Sequence, residues 1–363
     1  MKTIRVNLGA RSYPIHIGTG ILRSAGRLLA AQAIGSDAYI ITNTTVQKKY
    51  GVLLLSSLQS AGISARVKYI ADTEKAKSLA TAAAVLEDLA RFDRKKRVFI
   101  IALGGGVVGD LAGFVAAIYK RGIPYIHIPT TLLAQVDSSI GGKTAVDLPE
   151  GKNLVGAFYQ PRAVIADIAL LKSLHIRQLR QGMAEVIKYG LIKDRQLFVF
   201  AEKNIKRILS GNTQALSYIV GRCAAIKADI VSRDEREERA MRTLLNFGHT
   251  IGHAIEAAGA YGAYGHGEAV ALGMLVAADI SRQMKLLDAK SQERIRQMIL
   301  SAGLPVKLRG VSLQKIISVH YRDKKFIAGR NRFVLLSGIG KAKVVENVSL
   351  LIIQRSLEQI PTC

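Results

Sequence analysis

Three histidines and one glutamate have the spacing that is most informative about chemistry. His249 and His253 are four residues apart, His266 comes thirteen residues later, and Glu185 lies upstream. Residues 244–258 predict a helix, on which positions i and i+4 share one face, so the first two imidazoles should point in one direction. Imidazoles together with a carboxylate are the donors of a catalytic divalent-metal site, which keeps an open position for substrate.

Ordinary packing is the competing interpretation of these histidines, since the pair does not form the HExxH pattern of metalloproteases. Glycine lies immediately before His249 and on both sides of His266. Glycine is costly within a helix unless another group must approach the backbone closely. The glycines therefore favour a metal site.

A glycine-rich loop provides a second candidate site. The apolar run 98–103 leads directly into Gly104-Gly105-Gly106-Val107-Val108-Gly109-Asp110, and residues 111–119 predict the helix that follows. In this context a GxGxxG pattern lets the backbone approach a pyrophosphate at a helix N-terminus. No acidic residue lies about twenty positions further on to bind a ribose, so a tight turn between strand and helix remains the alternative.

Two lysines follow in a segment rich in small residues. The stretch from Gly141 to Thr144 resembles the end of a Walker A loop, but Asp137 occupies the position where that motif needs glycine. Hydrolysis of a nucleoside triphosphate is therefore disfavoured. Lys143, Lys152 and Asn153 could instead cradle a phosphate or carboxylate, with surface lysines in a loop as the alternative.

The composition is that of a globular protein with a large core. The chain has 363 residues, of which 49% are hydrophobic and 22% charged, which is enough for two domains. No segment reaches roughly 18 uninterrupted apolar residues, which argues against a membrane span, and the alternating residues 1–6 lack the apolar core of a signal peptide. Cys223 and Cys363 offer neither a disulfide framework nor a CxxC metal site, so a reducing cytoplasm is the expected setting.

The net charge of +25, from 52 basic and 27 acidic residues, raises the question of a polyanionic partner. The basic residues are scattered along the chain, tryptophan is absent, and aromatic residues make up only 6%, so stacking platforms for nucleic acid are scarce. A basic solvated surface, or steering of an anionic substrate, fits this composition better than a nucleic-acid partner.

The order of strand and helix patterns predicts two domains. In the first ~165 residues short β-rich runs alternate with helical stretches, as in an α/β domain with a largely parallel sheet. Strands are expected at 4–8, 13–17, 38–42, 65–70, 98–103, 125–128 and 163–167, with a helix at 79–91. Later residues are helical, apart from a strand pair at 332–336 and 342–345. We therefore predict an α/β domain over residues 1–170 and a helical domain over residues 171–363.

Six motifs together resemble those of the 3-dehydroquinate synthase family in type and order. They are GGGVVGD from Gly104, IPTTLLAQVDSSIGGKTAVD from Ile128, GKNLVGAFYQP from Gly151, GMAEVIKYGLI from Gly182, RTLLNFGHTIGHAIE from Arg242 and YGHGEAVALGM from Tyr264. The resemblance extends from about residue 10 to about residue 345. It implies a Rossmann-like α/β domain that binds NAD, an all-α domain that binds metal and substrate, a divalent metal (zinc or cobalt) and a homodimer.

The resemblance also implies roles for individual residues. Glu185, His249 and His266 match the family's metal ligands, and His253 then matches a catalytic residue beside the substrate. Arg121 matches an arginine that reaches the phosphate pocket of the neighbouring subunit. The other residues implied in substrate binding or catalysis are Asp137, Lys143, Asn153, Lys188, Lys227, Glu237, Arg242, Asn246 and, from the pair Lys324 and Lys325, Lys324. Those implied to face NAD are Asp72, Thr73, Glu74, Lys75, Ala76, Lys77, Gly106, Val107, Val108, Gly109, Asp110, Thr130, Thr131, Lys143, Lys152, Leu170, Leu171, Lys172 and Ser173.

The implied reaction converts 3-deoxy-D-arabino-heptulosonate 7-phosphate to 3-dehydroquinate and phosphate, in the shikimate pathway to aromatic amino acids. It would proceed by transient oxidation with NAD, phosphate elimination, reduction and intramolecular aldol cyclisation, which makes the enzyme a carbon–oxygen lyase. Two alternatives share the fold: other sugar phosphate cyclases, such as aminodehydroquinate synthase, and metal-dependent polyol dehydrogenases, which usually have aspartate in place of Glu185.

The chain departs from the family pattern at two places. Thr73 replaces the usual glycine between Asp72 and Glu74, and the spacing from Glu237 to Arg242 is one residue longer than usual. The net charge of +25 is not a family trait either.

Overall fold

A computed structural model describes residues 1–94, 96–260, 262–322 and 331–362, which group into two compact units. The first unit comprises Met1–Leu174 and Leu216–Arg236, and the second comprises His175–Ala215 and Glu237–Cys363. The predicted division at residue 170 differs from this grouping in the segment 216–236. That segment joins the first unit through long-range contacts, such as the hydrogen bond that the backbone N–H of Asn7 donates to Ser232, which no local sequence pattern reveals.

Strands and helices alternate along the first unit, whereas the second unit consists mainly of helices. The strands are β1 Lys2–Val6, β2 Tyr13–Gly18, β3 Asp37–Thr42, β4 Ser64–Tyr69, β5 Val98–Gly104, β6 Tyr125–Pro129, β7 Lys143–Leu148, β8 Gly151–Phe158, β9 Ala163–Asp167, β10 Arg332–Gly338 and β11 Lys341–Glu346. The helices are α1 Ala25–Ala30, α2 Thr44–Val46, α3 Val52–Gln59, α4 Leu79–Phe92, α5 Gly106–Ile118, α6 Ile176–Ile192, α7 Arg195–Leu209, α8 Thr213–Arg233, α9 His249–Ala258, α10 His266–Gln283, α11 Ala289–Ser301, α12 Leu313–Arg322 and α13 Leu350–Glu358.

A seven-stranded sheet in the order β1-β2-β9-β6-β5-β3-β4 forms the centre of the first unit. Every neighbouring pair is parallel except the N-terminal hairpin of β1 and β2. Strands β5, β6 and β9 are buried along their whole length, as expected for parallel strands that are covered on both faces. The predicted α/β class with a largely parallel sheet is confirmed.

Alternate residues of the central strands enter two hydrophobic cores, one on each face of this sheet. Tyr39 and Ile41 of β3 pack in one core with residues of α4 and α5. Ile40 of β3 and Phe99 of β5 pack in the other core with residues of α1 and α3. This alternation follows from the period of two in a strand. The two cores stabilise the sheet whose strand ends carry the predicted glycine loop.

The strand order contains a topological switch point between β3 and β5. The chain leaves β3 toward β4 on one side of the sheet and leaves β5 toward β6 on the other. In open α/β sheets, ligands bind in the crevice outside the carboxyl ends of the strands at such a point. The segments that follow these two strands begin at Asn43 and Gly105, so the predicted glycine loop lies at this crevice.

The hairpin of β7 and β8 was not expected from the sequence. The two strands pair antiparallel, with Lys143 opposite Phe158. Many residues of β8 are exposed, so the segment lacks the continuous apolar run that identifies a buried strand. The hairpin places Lys143 at the start of β7 and Asn153 in β8, instead of in the loop considered above.

The second unit is mainly helical, and helices α6, α9 and α10 position its candidate site. Helix α10 packs against both α6 and α9. The late strand pair is confirmed, because β10 and β11 form an antiparallel hairpin. Among the described residues, none of the helices is long and apolar enough to cross a membrane.

Candidate functional site

The structure brings together the donor atoms of Glu185, His249 and His266. Each of the three offers a ligand atom, and these atoms lie within 4.8 Å of one another. The Nε2 atoms of His249 and His266 are 3.5 Å and 3.6 Å from the same carboxylate oxygen, Oε1 of Glu185. One carboxylate and two imidazoles are a donor set that suits Zn²⁺ or Co²⁺ and leaves coordination positions open. The three residues therefore fit a catalytic divalent cation.

The helix that carries the histidine pair starts later than predicted. Residues Arg242–Asn246 form a 3-10 turn, and α9 begins only at His249. Gly248 separates the two with a φ of +77°, a left-handed conformation that glycine adopts without steric cost. His249 and His253 nevertheless remain on one helix face, with ring centroids 5.4 Å apart.

The glycines beside the histidines let neighbouring backbones approach closely. This agrees with the expectation that glycine, which is costly within a helix, marks such close approaches. A Cβ on Gly248 would lie 2.9 Å from the carbonyl oxygen of Val270 in α10. A Cβ on Gly267 would lie 2.3 Å from the carbonyl oxygen of Gln181 in α6. Helices α6, α9 and α10 therefore approach so closely at the histidines that side chains at these glycine positions would clash.

Backbone and side-chain partners orient the two imidazoles whose Nε2 atoms face Glu185. His249 Nδ1 is 3.1 Å from the carbonyl oxygen of Phe247, and His266 Nδ1 is 3.4 Å from Oε2 of Glu256. A carbonyl or carboxylate at Nδ1 favours the tautomer with hydrogen there, which leaves the Nε2 lone pair for a cation.

The two imidazoles differ in basicity. Burial, followed by the charge of Lys188, holds the pKa of His249 well below its ordinary value of 6.5. Burial also acts to lower the pKa of His266, but hydrogen bonds and charges from Glu185 and Glu256 outweigh it and raise the pKa to about 10. A cation that binds Nε2 of His266 must therefore displace a proton, so metal affinity should depend on pH.

The remaining residues implied at this site lie around the three donors. Lys188 is buried on α6 and contacts Oε2 of Glu185, whereas His253 is exposed with its ring centroid 6.3 Å from that of His266. His253 also forms a second possible donor group with Glu256 and His266. The geometry thus brings His253 to the site.

The buried side chain of Arg242 lies just before helix α9. Arg242 is 2% exposed, and its Nε lies 3.6 Å from Oε1 of Glu237. Glu237 has a left-handed φ of +64°, and Asn246 ends the same 3-10 turn. The ion pair therefore forms despite the longer spacing noted above. Lys324 lies outside the described residues.

The glycine loop of the first unit forms the predicted turn between strand and helix. Gly105 caps α5, which begins at Gly106. A Cβ on Gly105 would lie 3.1 Å from Cγ2 of Thr131, and one on Gly109 would lie 2.1 Å from Cε1 of His127. Glycine at these positions lets α5 pack closely against β6 and the residues that follow it. The N-terminus of α5 lies at the switch point, where a helix N-terminus favours a pyrophosphate. Thr130 and Thr131 follow β6 beside the loop, and the backbone N–H of Thr130 donates to the carbonyl of Gly104.

Three of the implied residues meet in one polar cluster of the first unit. Nζ of Lys77 lies 2.5 Å from Oδ2 of Asp110 and also contacts Oδ1 of Asn153. Burial raises the pKa of Asp110 despite the opposing charge of Lys77. Asn153 has a left-handed φ of +58° and donates its backbone N–H to Asp147 at 2.8 Å. Asp147 is a member of this cluster that sequence reasoning missed.

Asn43 and Thr42 are further residues at the switch point that the sequence did not reveal. The side-chain oxygen of Asn43 accepts a hydrogen bond from the backbone N–H of Val46, which caps α2, and its Nδ2 donates to Asp72 at 2.8 Å. Thr42 Oγ1 is buried and has no hydrogen-bond partner among the described residues. The strand order is the signal that could have identified them, because the switch point exists only once β3 and β5 are known to be neighbours.

Other implied residues of the first unit pair with partners distant in sequence. Lys227 of α8 contacts Asp137 twice, through Oδ1 at 2.8 Å and the carbonyl oxygen at 2.7 Å. Lys152 lies 3.5 Å from Oε1 of Glu74. The residues Asp72 to Lys75 are exposed, whereas Ala76 is buried.

The segment Leu170 to Ser173 is held by residues that follow β3. Tyr50 Oη donates to the carbonyl of Leu170 at 2.8 Å and contacts Ser173 Oγ. Lys49 donates to the carbonyl of Ser173 at 3.0 Å. Leu171 is buried and Lys172 is exposed.

Arg121 lies in a strained turn after α5. Lys120, Arg121 and Gly122 have consecutive positive φ values of 49°, 64° and 122°, and the Arg121 side chain is exposed. Left-handed residues other than glycine persist only where the surroundings fix them, and they concentrate at functional sites. Lys143 is likewise exposed, at the start of β7.

Comparison with known proteins gives the family of this chain. The family model described as 3-dehydroquinate synthase N-terminal matches residues 67–181, and the one described as 3-dehydroquinate synthase C-terminal matches residues 182–326. The 3-dehydroquinate synthase of Pelotomaculum thermopropionicum is 49% identical over 348 residues, which cover 96% of this chain and 93% of that protein. The chain belongs to the 3-dehydroquinate synthase family.

Solved structures of related cyclases share the fold over nearly the whole length. A 2-deoxy-scyllo-inosose synthase complexed with carbaglucose-6-phosphate, NAD⁺ and Co²⁺ is 28% identical, with a TM-score of 0.88 over 98% of this chain and 99% of that one. A 2-epi-5-epi-valiolone synthase from Streptomyces hygroscopicus with NAD⁺ and Zn²⁺ bound is 27% identical, with a TM-score of 0.88 over 96% of each chain. The dehydroquinate synthase fold expected from the sequence is therefore confirmed.

Proposed function

We propose that this protein is a 3-dehydroquinate synthase, which converts 3-deoxy-D-arabino-heptulosonate 7-phosphate to 3-dehydroquinate and phosphate. The observation that carries the proposal is the convergence of Glu185, His249 and His266 within a chain of this family. The relative of that name, 49% identical over nearly the whole chain, supports the choice of substrate. The reaction would serve aromatic amino acid biosynthesis through the shikimate pathway.

The proposed cofactors are NAD and a divalent cation, zinc or cobalt. When bound, NAD supplies a hydride acceptor that is regenerated within the cycle, and the cation polarises the hydroxyl group that is oxidised. Glu185, His249 and His266 would hold the cation. The nucleotide would lie at the switch point of the first unit, against the segments Asp72–Lys77, Gly106–Asp110, Thr130–Thr131 and Leu170–Ser173, with Lys143 and Lys152.

Residues of the second unit would bind the substrate and move its protons. The buried Arg242 and its neighbour Asn246 can bind an anionic group, since guanidinium-to-carboxylate hydrogen bonds are charge-assisted. The ammonium of Lys188 can donate a hydrogen bond near the substrate oxygens, and the exposed His253 can donate or accept protons there. Glu237 would pair with Arg242. A ketone at C5 acidifies the C6 proton, and the substrate's own phosphate can accept that proton. The protein would therefore need no strong base of its own.

Residues of the first unit would hold the anionic ends of the substrate. Lys143, Asn153 and Lys227 offer donors, and Asp137 holds Lys227 in place. We also propose a homodimer in which Arg121 reaches the phosphate pocket of the neighbouring subunit. The exposed side chain on a left-handed backbone supports that role.

We further propose that the protein acts in the cytoplasm as a phosphate-eliminating lyase. NAD and phosphorylated sugar acids are metabolites of the cell interior, which supports this location. The reaction returns the hydride to the same substrate molecule, so it has no net redox change.

Turnover with trace NAD tests the proposed reaction. Protein loaded with Zn²⁺ or Co²⁺ should release many equivalents of phosphate for each NAD, with no lasting NADH absorbance. Chelation of the metal should stop phosphate release, and either cation should restore it. Accumulation of NADH in proportion to the substrate consumed would instead indicate a polyol dehydrogenase and would refute the proposal.

Another sugar phosphate cyclase activity is the second candidate, because solved cyclases at 27–28% identity match nearly the whole chain. The buried cation of Arg242 favours a substrate that carries a carboxylate. Phosphate release should therefore be fast with the heptulosonate phosphate and negligible with glucose 6-phosphate, which has no carboxylate. The amino analogue of the heptulosonate, assayed in parallel, would distinguish an aminodehydroquinate synthase.

A further inference from the structure

His266 presents its two ring nitrogens to two different carboxylates. Its Nε2 lies 3.6 Å from Oε1 of Glu185, on the side where the cation is proposed to bind. Its Nδ1 lies 3.4 Å from Oε2 of Glu256, on the opposite side of the ring. Glu256 belongs to neither the proposed ligand set nor the proposed substrate contacts.

The position of Glu256 on α9 explains how it reaches His266. Glu256 is seven residues after His249, so two helical turns place both side chains on the same side of α9. Gly252 lies between them, and a Cβ there would be 3.2 Å from the carbonyl oxygen of Ala269 in α10. Close packing of α9 and α10 across Gly252 brings the carboxylate of one helix to the first residue of the other.

Glu256 is only 6% exposed. A buried carboxylate is costly unless it is hydrogen-bonded or paired with a charge. Metal-bound histidines commonly donate their second ring N–H to a carboxylate or carbonyl, which fixes the tautomer and makes the ligand more basic. The backbone carbonyl of Phe247 has this position at His249, and Glu256 has it at His266.

We propose that Glu256 is a positioning residue for the metal centre, and that it orients His266 and tunes its strength as a ligand. The inference rests on the proposed function, because it takes His266 as a metal ligand. A hydrogen bond from Nδ1–H to the carboxylate directs the Nε2 lone pair toward the cation, and the negative charge increases the electron donation of the ring. The partner of His249 is a backbone carbonyl, so Glu256 is the side chain through which this effect can be tested by substitution.

Two substitutions separate orientation from charge. Glu256→Gln keeps an oxygen that can accept the Nδ1–H hydrogen bond but removes the charge, and Glu256→Ala removes both. We expect Zn²⁺ affinity to fall by about 10–100-fold in Glu256→Ala, and by a smaller factor in Glu256→Gln. Glu293→Ala is the matched control, because Glu293 is a 57%-exposed carboxylate of the same unit. Its partners Arg296, at 3.6 Å, and Gln297, at 2.6 Å, lie on its own helix α11.

Metal affinity is measured by competition with a chromophoric chelator on full-length protein that has been stripped of metal. The visible absorption of the Co²⁺ derivatives reports on ligand geometry, and it should change in both Glu256 variants but not in Glu293→Ala. Thermal unfolding in excess chelator shows whether a variant folds. If Glu256→Ala does not fold, Glu256→Gln alone decides the question.

The possible outcomes separate this inference from the proposed function. Wild-type Zn²⁺ affinity and an unchanged Co²⁺ spectrum in the Glu256 variants would overturn the positioning role and leave the proposed reaction intact. Failure of the wild-type protein to bind one equivalent of metal would overturn both. Binding of two equivalents by the wild type, with loss of one in Glu256→Ala, would make Glu256 a ligand of a second cation with His253 and would also refute the positioning role.

Discussion

Lys188 contacts one oxygen of Glu185, and the other oxygen of that carboxylate faces the two imidazoles. The pair lies three residues apart on α6, with exposures of 2% for Lys188 and 0% for Glu185. The ammonium therefore occupies Oε2 and leaves Oε1 facing the imidazoles, so Oε1 is the oxygen with which Glu185 would hold the proposed cation. The Lys188 ammonium also balances the negative charge of Glu185 when no cation is bound.

Replacing Lys188 should destabilise the protein most when metal is removed. Breaking a buried pair by removal of one partner costs roughly 3–5 kcal/mol, and a divalent cation can neutralise the same carboxylate. Lys188→Met should therefore show a larger increase in the urea midpoint on addition of Zn²⁺ than the wild type. Lys193→Met, at an exposed lysine that follows the same helix, is the control. An equal increase in Lys188→Met and wild type would contradict the charge-balancing role.

Substitutions of the three histidines should differ in their effect on metal binding. The Nε2 atoms of His249 and His266 lie 3.5 Å and 3.6 Å from Glu185 Oε1, whereas His253 is exposed. His249→Ala and His266→Ala should lose bound Zn²⁺, measured by elemental analysis after gel filtration. His253→Ala should retain the metal and lose phosphate-releasing activity. Loss of metal from His253→Ala, with retention in His266→Ala, would reverse the assignment.

Local sequence patterns predicted most of the first unit. The apolar runs of β3, β5 and β9 are short, buried and rich in β-branched residues, so the sequence itself marks them as strands of a parallel sheet. The exposed hairpin of β7 and β8 has no such run and was missed. Residues 216–236 group with the first unit, whereas the predicted division assigns them to the helical domain, because their contacts join residues far apart in sequence.

The candidate site was only partly predictable, for a related reason. The spacing of His249 and His253 on one helix follows from helical periodicity alone. The convergence of Glu185 and His266 with them depends on how α6 and α10 pack against α9, through glycines whose role is visible only when their neighbours are known. The hydrogen bond between Glu256 and His266 depends on the same packing. The hydrogen bond between Asn43 and Asp72 depends on strand order in the same way.

Acid should destabilise the protein through His127. This histidine of β6 is 3% exposed, and burial lowers its pKa to about 4. The unfolded chain therefore binds a proton that the folded chain does not, and stability falls as pH decreases from about 6.5 to about 4.

The decrease in the free energy of unfolding that His127 causes should reach about 2 kcal/mol between pH 7 and pH 5. His127→Gln removes the titrating ring, so its urea midpoint should depend less on pH over this interval. The comparison is made at constant ionic strength, in excess chelator, so that metal release does not contribute. Parallel pH profiles for the variant and the wild type would show that the ring does not titrate as described.

Arg242 should matter for catalysis far more than an exposed arginine. Arg242 is 2% exposed and forms an ion pair with Glu237. Each charge-assisted contact to an ionised group contributes roughly 1.5–3 kcal/mol. Arg242→Ala should therefore lower kcat/KM for the heptulosonate phosphate by about one to two orders of magnitude, as should Lys143→Ala. Arg94→Ala removes an exposed charge and should have little effect at moderate salt, where the screening length is about 8–10 Å. If Arg94→Ala were as damaging as Arg242→Ala, substrate recognition would depend on the diffuse charge of +25 rather than on one fixed guanidinium.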